Sequence, residues 1–309
     1  LVRQVKGRPI RIACVNENRL LCLGYGYVAR RLAARLKAEG WTASGTIRDA
    51  AAADRAAADG VAPVSWSDEK ALGDAIQNAD ALLISTPPSS DGCPSAAIAA
   101  RALAARRRPR IWIGYLSTNG VYGDHQGAWV DETSPLLATS PRAKSRIAAE
   151  KQWRALGASL DIPVVIFRLP GIYGPGRSAL DTVREGRAQR IYKEGQIFSR
   201  AHVDDIAAAL QASIAAPDAG ELFNIADDEP SPPQDVIAYA CALLGVAPPP
   251  LVPIEQAQLS EMAKSFYADN KRVSNRLMKE RLLPALSHPT YREGLKAILA
   301  AERLTPVPD

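Results

Sequence analysis

The hydrophobic positions from Arg19 onward follow two alternating patterns. Short apolar runs predict strands at "RLLCL", "TASGTI", "APV", "ALLIS", "IWIGYLS" and "VVIFRL". Between them, Ala-rich amphipathic stretches predict helices over residues 27–39, 50–59, 69–78 and 95–106, with another beginning near Pro141. Strands that alternate with helices at this spacing predict an α/β fold, a doubly wound parallel sheet with helices on both faces.

The composition changes after Leu169. Gly and Pro interrupt the chain at "PGIYGPG", "DDEPSPP" and "GVAPPP", and helical patterns dominate the last part of the sequence. A helix over residues 203–215 and the short strand "ELFNI" again resemble elements that flank a sheet. We therefore predict an N-terminal extension (1–18), a main domain (19–168, with 201–226 returning to it) and a smaller, mostly helical lobe (169–200 and 227–309).

Composition and charge exclude several classes of function. Hydrophobic residues make up 47% of the chain and charged residues 23%, and the formal net charge is +5, as in an ordinary globular protein. The basic run Arg106–Arg110 has no aromatic residues interleaved, so it predicts a solvated helix end rather than a nucleic-acid site. Because there is no transmembrane run and no three-part signal peptide, we expect a cytoplasmic protein with no membrane partner.

The cysteines and histidines predict no special chemistry. Cys14, Cys22, Cys93 and Cys241 form no C-x-x-C pair, which predicts free, mostly buried thiols in a reducing compartment. The three histidines have no metal-ligand spacing among them, so we expect no metal.

A glycine-rich turn follows the first predicted strand and opens the first helix. In "CLGYGYVARRL", Gly24 permits a tight turn, Gly26 lets a pyrophosphate approach the backbone, and Ala29 lets the helix pack on the sheet. The N-terminus of the helix supplies amide donors and a positive dipole. The turn therefore predicts a dinucleotide site, whose expected contacts are Gly24, Tyr25, Gly26, Tyr27 and Val28, with Ser85, Thr86 and Pro87 after the fourth strand.

The end of the second strand bears on the choice of dinucleotide. "GTIRD" places Thr46, Arg48 and Asp49 at this end, where we expect Thr46 and Arg48 to contact the cofactor, and an arginine there suits the 2′-phosphate of NADP. Asp49, which could bind ribose hydroxyls, leaves NAD open. We predict NADP as the cofactor, with NAD as the alternative.

Longer motifs resemble the extended short-chain dehydrogenase/reductase superfamily, the NAD(P)-dependent sugar-nucleotide epimerases and dehydratases. The motifs are "LSTNGVYGDHQGAWVDETSP", "FRLPGIYGPG", "FSRAHVDDIAAAL" and "FNIADDEPSP", in the order the family has them. The resemblance implies a Rossmann-type domain with a small substrate lobe, a small-molecule substrate and, as an open possibility, a homodimer.

The resemblance also locates a departure at the reaction centre. Thr118 matches the family's Ser or Thr that binds the reacting oxygen, but the Tyr-x-x-x-Lys pair falls on Arg142 and Arg146 of "SPRAKSRIAAE". Arginine stays protonated, so Arg142 cannot replace a tyrosine as acid or base, whereas Arg146 could still donate to a ribose. The family's dehydratases place an acidic pair where this chain has Asn119 and Gly120, which argues against dehydration by that route.

Three other residues are candidates for the missing proton transfer: Tyr122 of the "VYG" motif, His125 and Tyr173, with Tyr122 the best placed by the resemblance. We predict that His202, Asp204 and Asp205 fix the returning helix. Arg142 has two readings, an anion clamp in the substrate cleft or a solvent-facing charge.

Two functions compete on this evidence. The first is an NADP-dependent enzyme that acts on a carbonyl or hydroxyl of a small polar, anionic or sugar-like substrate. It would be either an oxidoreductase or an epimerase, which is a type of isomerase. The second is a non-catalytic NADP sensor, which the loss of the catalytic tyrosine favours. Thr118 and the "VYG" loop favour the enzyme, which is the reading we adopt. A structural domain without a nucleotide does not explain the glycine turn and Arg48 together.

Overall fold

The structure is a computed structural model that describes residues 18–90, 92–108 and 110–304. The predicted N-terminal extension, apart from residue 18, and Cys14 lie outside the described residues. In chain order the strands are β1 (Arg19–Leu23), β2 (Thr42–Ile47), β3 (Ala62–Ser65), β4 (Ala81–Ile84), β5 (Trp112–Thr118), β6 (Trp129–Val130), β7 (Val164–Leu169), β8 (Gly171–Tyr173), β9 (Arg190–Tyr192), β10 (Arg200–His202), β11 (Leu222–Asn224), β12 (Leu251–Pro253) and β13 (Arg272–Val273).

The α-helices are α1 (Tyr27–Ala38), α2 (Ala50–Ala58), α3 (Glu69–Asn78), α4 (Pro94–Ala104), α5 (Pro141–Leu160), α6 (Ala179–Arg184), α7 (Val203–Ala215), α8 (Pro233–Leu244), α9 (Glu261–Ala268), α10 (Arg276–Arg281) and α11 (Tyr291–Leu304). Short 3₁₀ helices cover Asn119–Tyr122, Pro217–Ala219 and Ile254–Gln256. The predicted strands and helices of the first 170 residues are present, and their ends differ from the prediction by at most two residues.

A seven-stranded parallel sheet forms the centre of the molecule. Its strand order is β11-β7-β5-β4-β1-β2-β3, and every neighbouring pair is parallel. The predicted α/β class with a doubly wound parallel sheet is confirmed. Because the strand order reverses between β1 and β4, the crevice at the carboxyl ends of these two strands is the topological switch point.

The apolar runs are continuous because both faces of the sheet are buried. In β1, Leu20 and Cys22 belong to the core that also contains the buried faces of α1 and α7. Leu21 and Leu23 belong to the core on the other face, with α3, α4 and α5. Because a strand buried on both faces has no solvent-facing side, polar residues do not alternate with apolar ones and its sequence is a continuous apolar run.

The returning segment contributes both a strand and a helix to this assembly. Strand β11 pairs with β7 at the edge of the sheet, and α7 packs against α1. Helices α6, α8 and α11 enclose a separate smaller core, which includes Tyr173, Leu180 and Tyr291. The architecture includes the smaller, mostly helical part that the sequence predicts, while the assignment of domain boundaries stays a prediction.

The basic run after α4 has a local structural role. Arg106 donates to the carbonyl oxygens of Gln77 and Arg110, and Arg108 donates to that of Asn78. These carbonyls include the last ones of α3, where a helix leaves acceptors unpaired and favours positive charge. The run therefore binds a helix end at the amino edge of the sheet, away from the carboxyl edge.

None of the helices formed by the described residues combines the length and apolar character needed to cross a membrane. Cys22, Cys93 and Cys241 are buried free thiols.

Candidate functional site

The glycine-rich turn and the segment after β4 meet at the switch point. Gly24 has φ +92°, and a Cβ there would lie 2.8 Å from Ser85 Oγ and 3.1 Å from Thr86 N. The Gly24 amide donates to Thr46 Oγ1 at 2.7 Å, and the Ser85 hydroxyl donates to the Gly24 carbonyl. Only glycine combines this backbone conformation with so close an approach, so the turn is fixed by β2 and β4 on either side.

Gly26 faces open space at the start of α1. A Cβ at this position would meet no described atom within 4 Å, and Gly26 itself is exposed. No side chain caps α1, and its first turn has no acidic residue. The first amides of a helix have no carbonyl partner within it, so this turn presents free donors at the positive end of a dipole. An anion can reach these amides without displacing a protein group.

Arg48 and Asp49, at the end of β2, are used differently. The Asp49 carboxylate accepts from the Ala52 amide at 2.8 Å and caps α2. Arg48 is exposed and makes no hydrogen bond or ion pair with any residue that the structure describes. Asp49, the residue that could bind the ribose of NAD, is thus engaged in a helix cap. The Arg48 guanidinium is available to bind a ligand.

The two tyrosines of the turn are held in place by their hydroxyls. Tyr25 donates to Asp59, which also forms a two-bond ion pair with Arg30, and the Tyr25 ring lies against Gly45. Tyr27 donates to the Pro175 carbonyl at 3.0 Å. Burial raises the pKa of Tyr27 to about 12, so this hydroxyl stays a donor at neutral pH.

Thr118, at the end of β5, retains a donor for a ligand. Its Oγ1 accepts from the Gly120 amide at 3.1 Å, which begins the 3₁₀ turn Asn119–Tyr122. The hydroxyl hydrogen has no acceptor among the residues described here, and the side chain is half-buried. A hydroxyl in this state can donate to an oxygen placed at the edge of the sheet.

Arg146 is already bonded to the sheet. Its Nη1 donates to the Leu116 carbonyl at 2.8 Å and to the Tyr115 hydroxyl at 3.2 Å. Burial raises the pKa of Tyr115 to about 12. The other guanidinium N–H groups of Arg146 make no hydrogen bond to a described residue, so Arg146 can hold β5 and still donate to a ligand.

Tyr122 lies in a buried ionic network instead of facing a cleft. Its hydroxyl donates to Asn224 Oδ1 at 2.7 Å and accepts from Arg168 at 3.1 Å. Arg168 forms a two-bond ion pair with Glu150, and Ser117 donates to the same carboxylate. The side chain of Tyr122 is fully buried, and burial raises the pKa of its hydroxyl. The geometry gives no support to the prediction that Tyr122 transfers protons.

The other two candidates for proton transfer, His125 and Tyr173, each contact a backbone carbonyl of the protein. His125 is half-buried in a loop, with its Nε2 3.2 Å from the Pro135 carbonyl. Tyr173 is buried, its hydroxyl donates to the Thr290 carbonyl at 3.3 Å, and burial raises its pKa. Arg142 is exposed on the first turn of α5, which Ser140 caps, and it makes no hydrogen bond or ion pair with a described residue.

His202, Asp205 and His288 form a cluster of which the sequence predicted only the role of His202 and Asp205 in fixing the returning helix. Asp205 accepts from the amides of Ser287 and His288 and contacts the His288 ring at 3.0 Å. The His202 and His288 rings stack with centroids 3.7 Å apart. Asp205 thus ties α7 to the segment before α11, a contact between residues 82 positions apart that no spacing rule reveals.

This cluster could hold a metal by composition, but its hydrogen bonds oppose that role. His202 Nδ1 accepts from the Asp204 amide at 3.2 Å, so in the neutral ring Nε2 carries the proton and cannot act as a ligand. Burial and His288 lower the pKa of His202 to about 4, which keeps the ring neutral near pH 7. We assign the cluster to packing of the returning helix.

Comparisons with known proteins place this geometry in a family. The sequence model of the NAD dependent epimerase/dehydratase family matches residues 21–226. This span includes the glycine turn, Arg48, Thr118 and the first turn of α5.

Three relatives show the extent of the similarity. Protein YeeZ of Escherichia coli (strain K12) is 29% identical over 275 residues, covering 82% of this chain and 92% of that protein. The structure of a functionally unknown conserved protein from Silicibacter pomeroyi DSS is 46% identical, with a TM-score of 0.83, and covers 92% of this chain and 99% of that one. Human epimerase family protein SDR39U1 (isoform2) with NADPH is 18% identical, with a TM-score of 0.69 over 91% of this chain and 99% of that one, a similarity of fold.

Proposed function

The chain belongs to the NAD dependent epimerase/dehydratase family, and we propose that it binds NADP(H) at the carboxyl edge of β1 and β2. There it acts as an oxidoreductase or epimerase on a carbonyl or hydroxyl of a small anionic substrate. The observation that carries the proposal is the open, uncapped first turn of α1 at Gly26. A nicotinamide dinucleotide supplies the hydride donor or acceptor when it is bound.

The residues present at this edge fit the phosphates of such a cofactor. Gly26 offers the space, the first amides of α1 offer donors, and Gly24 keeps the turn close to β4. Thr46 and Ser85 support the turn through its backbone, so their expected role as cofactor contacts becomes, in our proposal, support of the glycine turn.

Arg48 supports NADP rather than NAD. It is the free cation at the end of β2, while Asp49 is committed to the cap of α2. A guanidinium binds a phosphate with two parallel hydrogen bonds, which a ribose hydroxyl cannot match.

At the reaction end we assign binding roles to three residues. Thr118 donates its free hydroxyl to the reacting oxygen, Arg146 orders the ribose beside β5, and Arg142 pairs with an anionic group of the substrate. Since Tyr122 is bonded on both sides, a proton would pass to or from water.

The test of this proposal follows NADPH absorbance during a screen of small carbonyl compounds with and without a carboxylate or phosphate. We expect oxidation of NADPH or, for an epimerase, which returns the cofactor unchanged, isomerisation of the compound detected by NMR, with at least one anionic compound and not with its neutral analogue. The reverse preference would contradict the assignment of an anionic substrate.

A second function, a non-catalytic NADP sensor, is favoured by one observation. Tyr122 and Tyr173, the two tyrosines that the sequence offers for proton transfer, both donate their hydroxyl hydrogens within the protein. Tight NADPH binding without turnover on any compound of the screen would support the sensor over the enzyme.

A further inference from the structure

A tight turn from the "PGIYGPG" motif packs directly on the first residue of α1. The backbone of the turn closes with hydrogen bonds in both directions between Gly174 and Arg177. A Cβ at Gly174 would lie 2.5 Å from the Tyr27 hydroxyl oxygen, and that hydroxyl donates to the Pro175 carbonyl. Because Tyr27 is the first residue of α1, its side chain ties this turn to the start of that helix.

The turn places an unpaired cation at this point. Arg177 is exposed, and its guanidinium carbon lies 5.9 Å from the centroid of the Tyr27 ring. The side chain makes no hydrogen bond or ion pair within the described part of the chain. A guanidinium over an aromatic ring is held loosely in position while its donors stay available.

The acidic residues around Tyr27 are already satisfied. Asp204 pairs with Arg31 at 2.5 Å, and Asp181 accepts from the Ser178 amide and hydroxyl at 2.7 and 2.6 Å. Neither carboxylate is bonded to Arg177. The Arg177 guanidinium therefore lies over the side chain of the first residue of α1, Tyr27, and neither of these carboxylates neutralises it.

We propose that Arg177 binds the pyrophosphate of the dinucleotide, together with the first amides of α1. The inference rests on the proposed function and adds a phosphate contact from a segment 150 residues away from the glycine turn. It gives the two arginines separate tasks, since Arg48 binds a group present only in NADP and Arg177 binds one common to NADP and NAD. Binding of either dinucleotide then couples the 174–177 turn to α1.

The test compares Arg177→Ala with Arg48→Ala by calorimetric titration of three probes: NADP⁺, NAD⁺ and adenosine 2′-phosphate, which lacks the pyrophosphate. For Arg177→Ala we expect the affinities for NADP⁺ and NAD⁺ to fall by the same factor, at least about ten-fold, with adenosine 2′-phosphate unchanged. For Arg48→Ala we expect losses for NADP⁺ and adenosine 2′-phosphate only. Arg177→Lys, which keeps the charge without the planar fork, should give an intermediate loss.

Arg107→Ala is the matched control, because it removes an exposed arginine without a described partner just before the start of β5, at the opposite edge of the sheet. It should leave all three affinities unchanged. Unchanged dinucleotide affinity in Arg177→Ala, or an equal loss for adenosine 2′-phosphate with a lowered Tm, would overturn the pyrophosphate contact and point to packing on Tyr27. Absence of dinucleotide binding by the wild-type chain would overturn this inference and the proposed function together.

Discussion

The two ends of the carboxyl edge differ in how their polar groups are used. At the phosphate end, the first amides of α1 are uncapped and Arg48 has no partner in the described structure. At the reaction end, Glu150 and Arg168 are buried in an ion pair that also holds Tyr122. The phosphate end keeps hydrogen-bond donors free for an anion. At the reaction end, Glu150, Arg168 and Tyr122 bond to one another inside the protein.

In our proposal, this difference lets the chain bind a cofactor although arginine stands where the resemblance places the catalytic tyrosine. Phosphate binding needs free donors and space, and these come from backbone and arginine. Proton transfer needs a titratable group within reach of the substrate. At the reaction end the described groups that keep free donors include the Thr118 hydroxyl and the Arg142 guanidinium, which can bind a ligand through hydrogen bonds or charge. The account therefore predicts strong cofactor binding and a reaction that relies on water.

The largest effect should come from breaking the buried ion pair. In Glu150→Ala the Arg168 guanidinium loses its two-bond partner while it stays buried, so we expect the free energy of unfolding to fall by about 3–5 kcal/mol, measured by urea denaturation. Glu69→Ala removes an exposed partner of Arg101 and should change the stability little. Equal losses of unfolding free energy in the two variants would show that the buried Glu150–Arg168 pair does not stabilise the fold more than an exposed pair does.

The next effect concerns Gly26 at the phosphate end, where we expect a loss of cofactor affinity with little change in stability. Gly26→Val places a branched side chain where the structure is open, so the fold should be retained, with Tm changed by no more than a few degrees. The same side chain should exclude the pyrophosphate and lower the affinity for NADPH by at least about 100-fold.

Gly73→Val is the matched control for this variant, because Gly73 also meets no described atom within 4 Å but lies in α3, away from the turn. It should bind NADPH as the wild type does. Retention of NADPH affinity in Gly26→Val would mean that the phosphates bind elsewhere.

The smallest effect is expected at Arg142, the free cation of the reaction end. If this residue binds the anionic group of the substrate, Arg142→Ala should raise KM for the compound found in the screen by roughly ten-fold, with Tm unchanged. Arg107→Ala again controls for loss of charge. An unchanged KM would leave Arg142 as a solvated charge on α5.

The double variant Arg142→Tyr, Arg146→Lys restores the usual family pair. A gain in kcat would show that the missing tyrosine limits the reaction. Loss of stability instead would reflect the bonds from Arg146 to Leu116 and Tyr115.

The sequence predicted those parts of the molecule that depend on local pattern. The apolar runs predicted the sheet because its strands are buried on both faces, and Ser140 with Pro141 predicted the start of α5. The glycine spacing likewise anticipated a turn that only Gly24 can adopt next to Ser85.

What the sequence did not predict depends on contacts between distant segments. The side chain of Tyr122 is directed toward Arg168 and Asn224, which are 46 and 102 residues away, so a motif alone suggested a cleft residue. The contact of Arg177 with Tyr27 joins positions 150 apart and has no local signature. The sequence nevertheless indicated the Glu150–Arg168 pair, because a charged residue in a buried strand needs an opposite charge beside it.

The preference of the phosphate end for NADP is tested by calorimetric titration of the wild-type chain with NADPH and, separately, with NADH under the same low-salt conditions. We expect saturable binding of both at one site, with NADPH at least about ten-fold tighter because Arg48 pairs with the 2′-phosphate, which NADH lacks. Equal affinities for the two cofactors, or no binding of either, would contradict this preference.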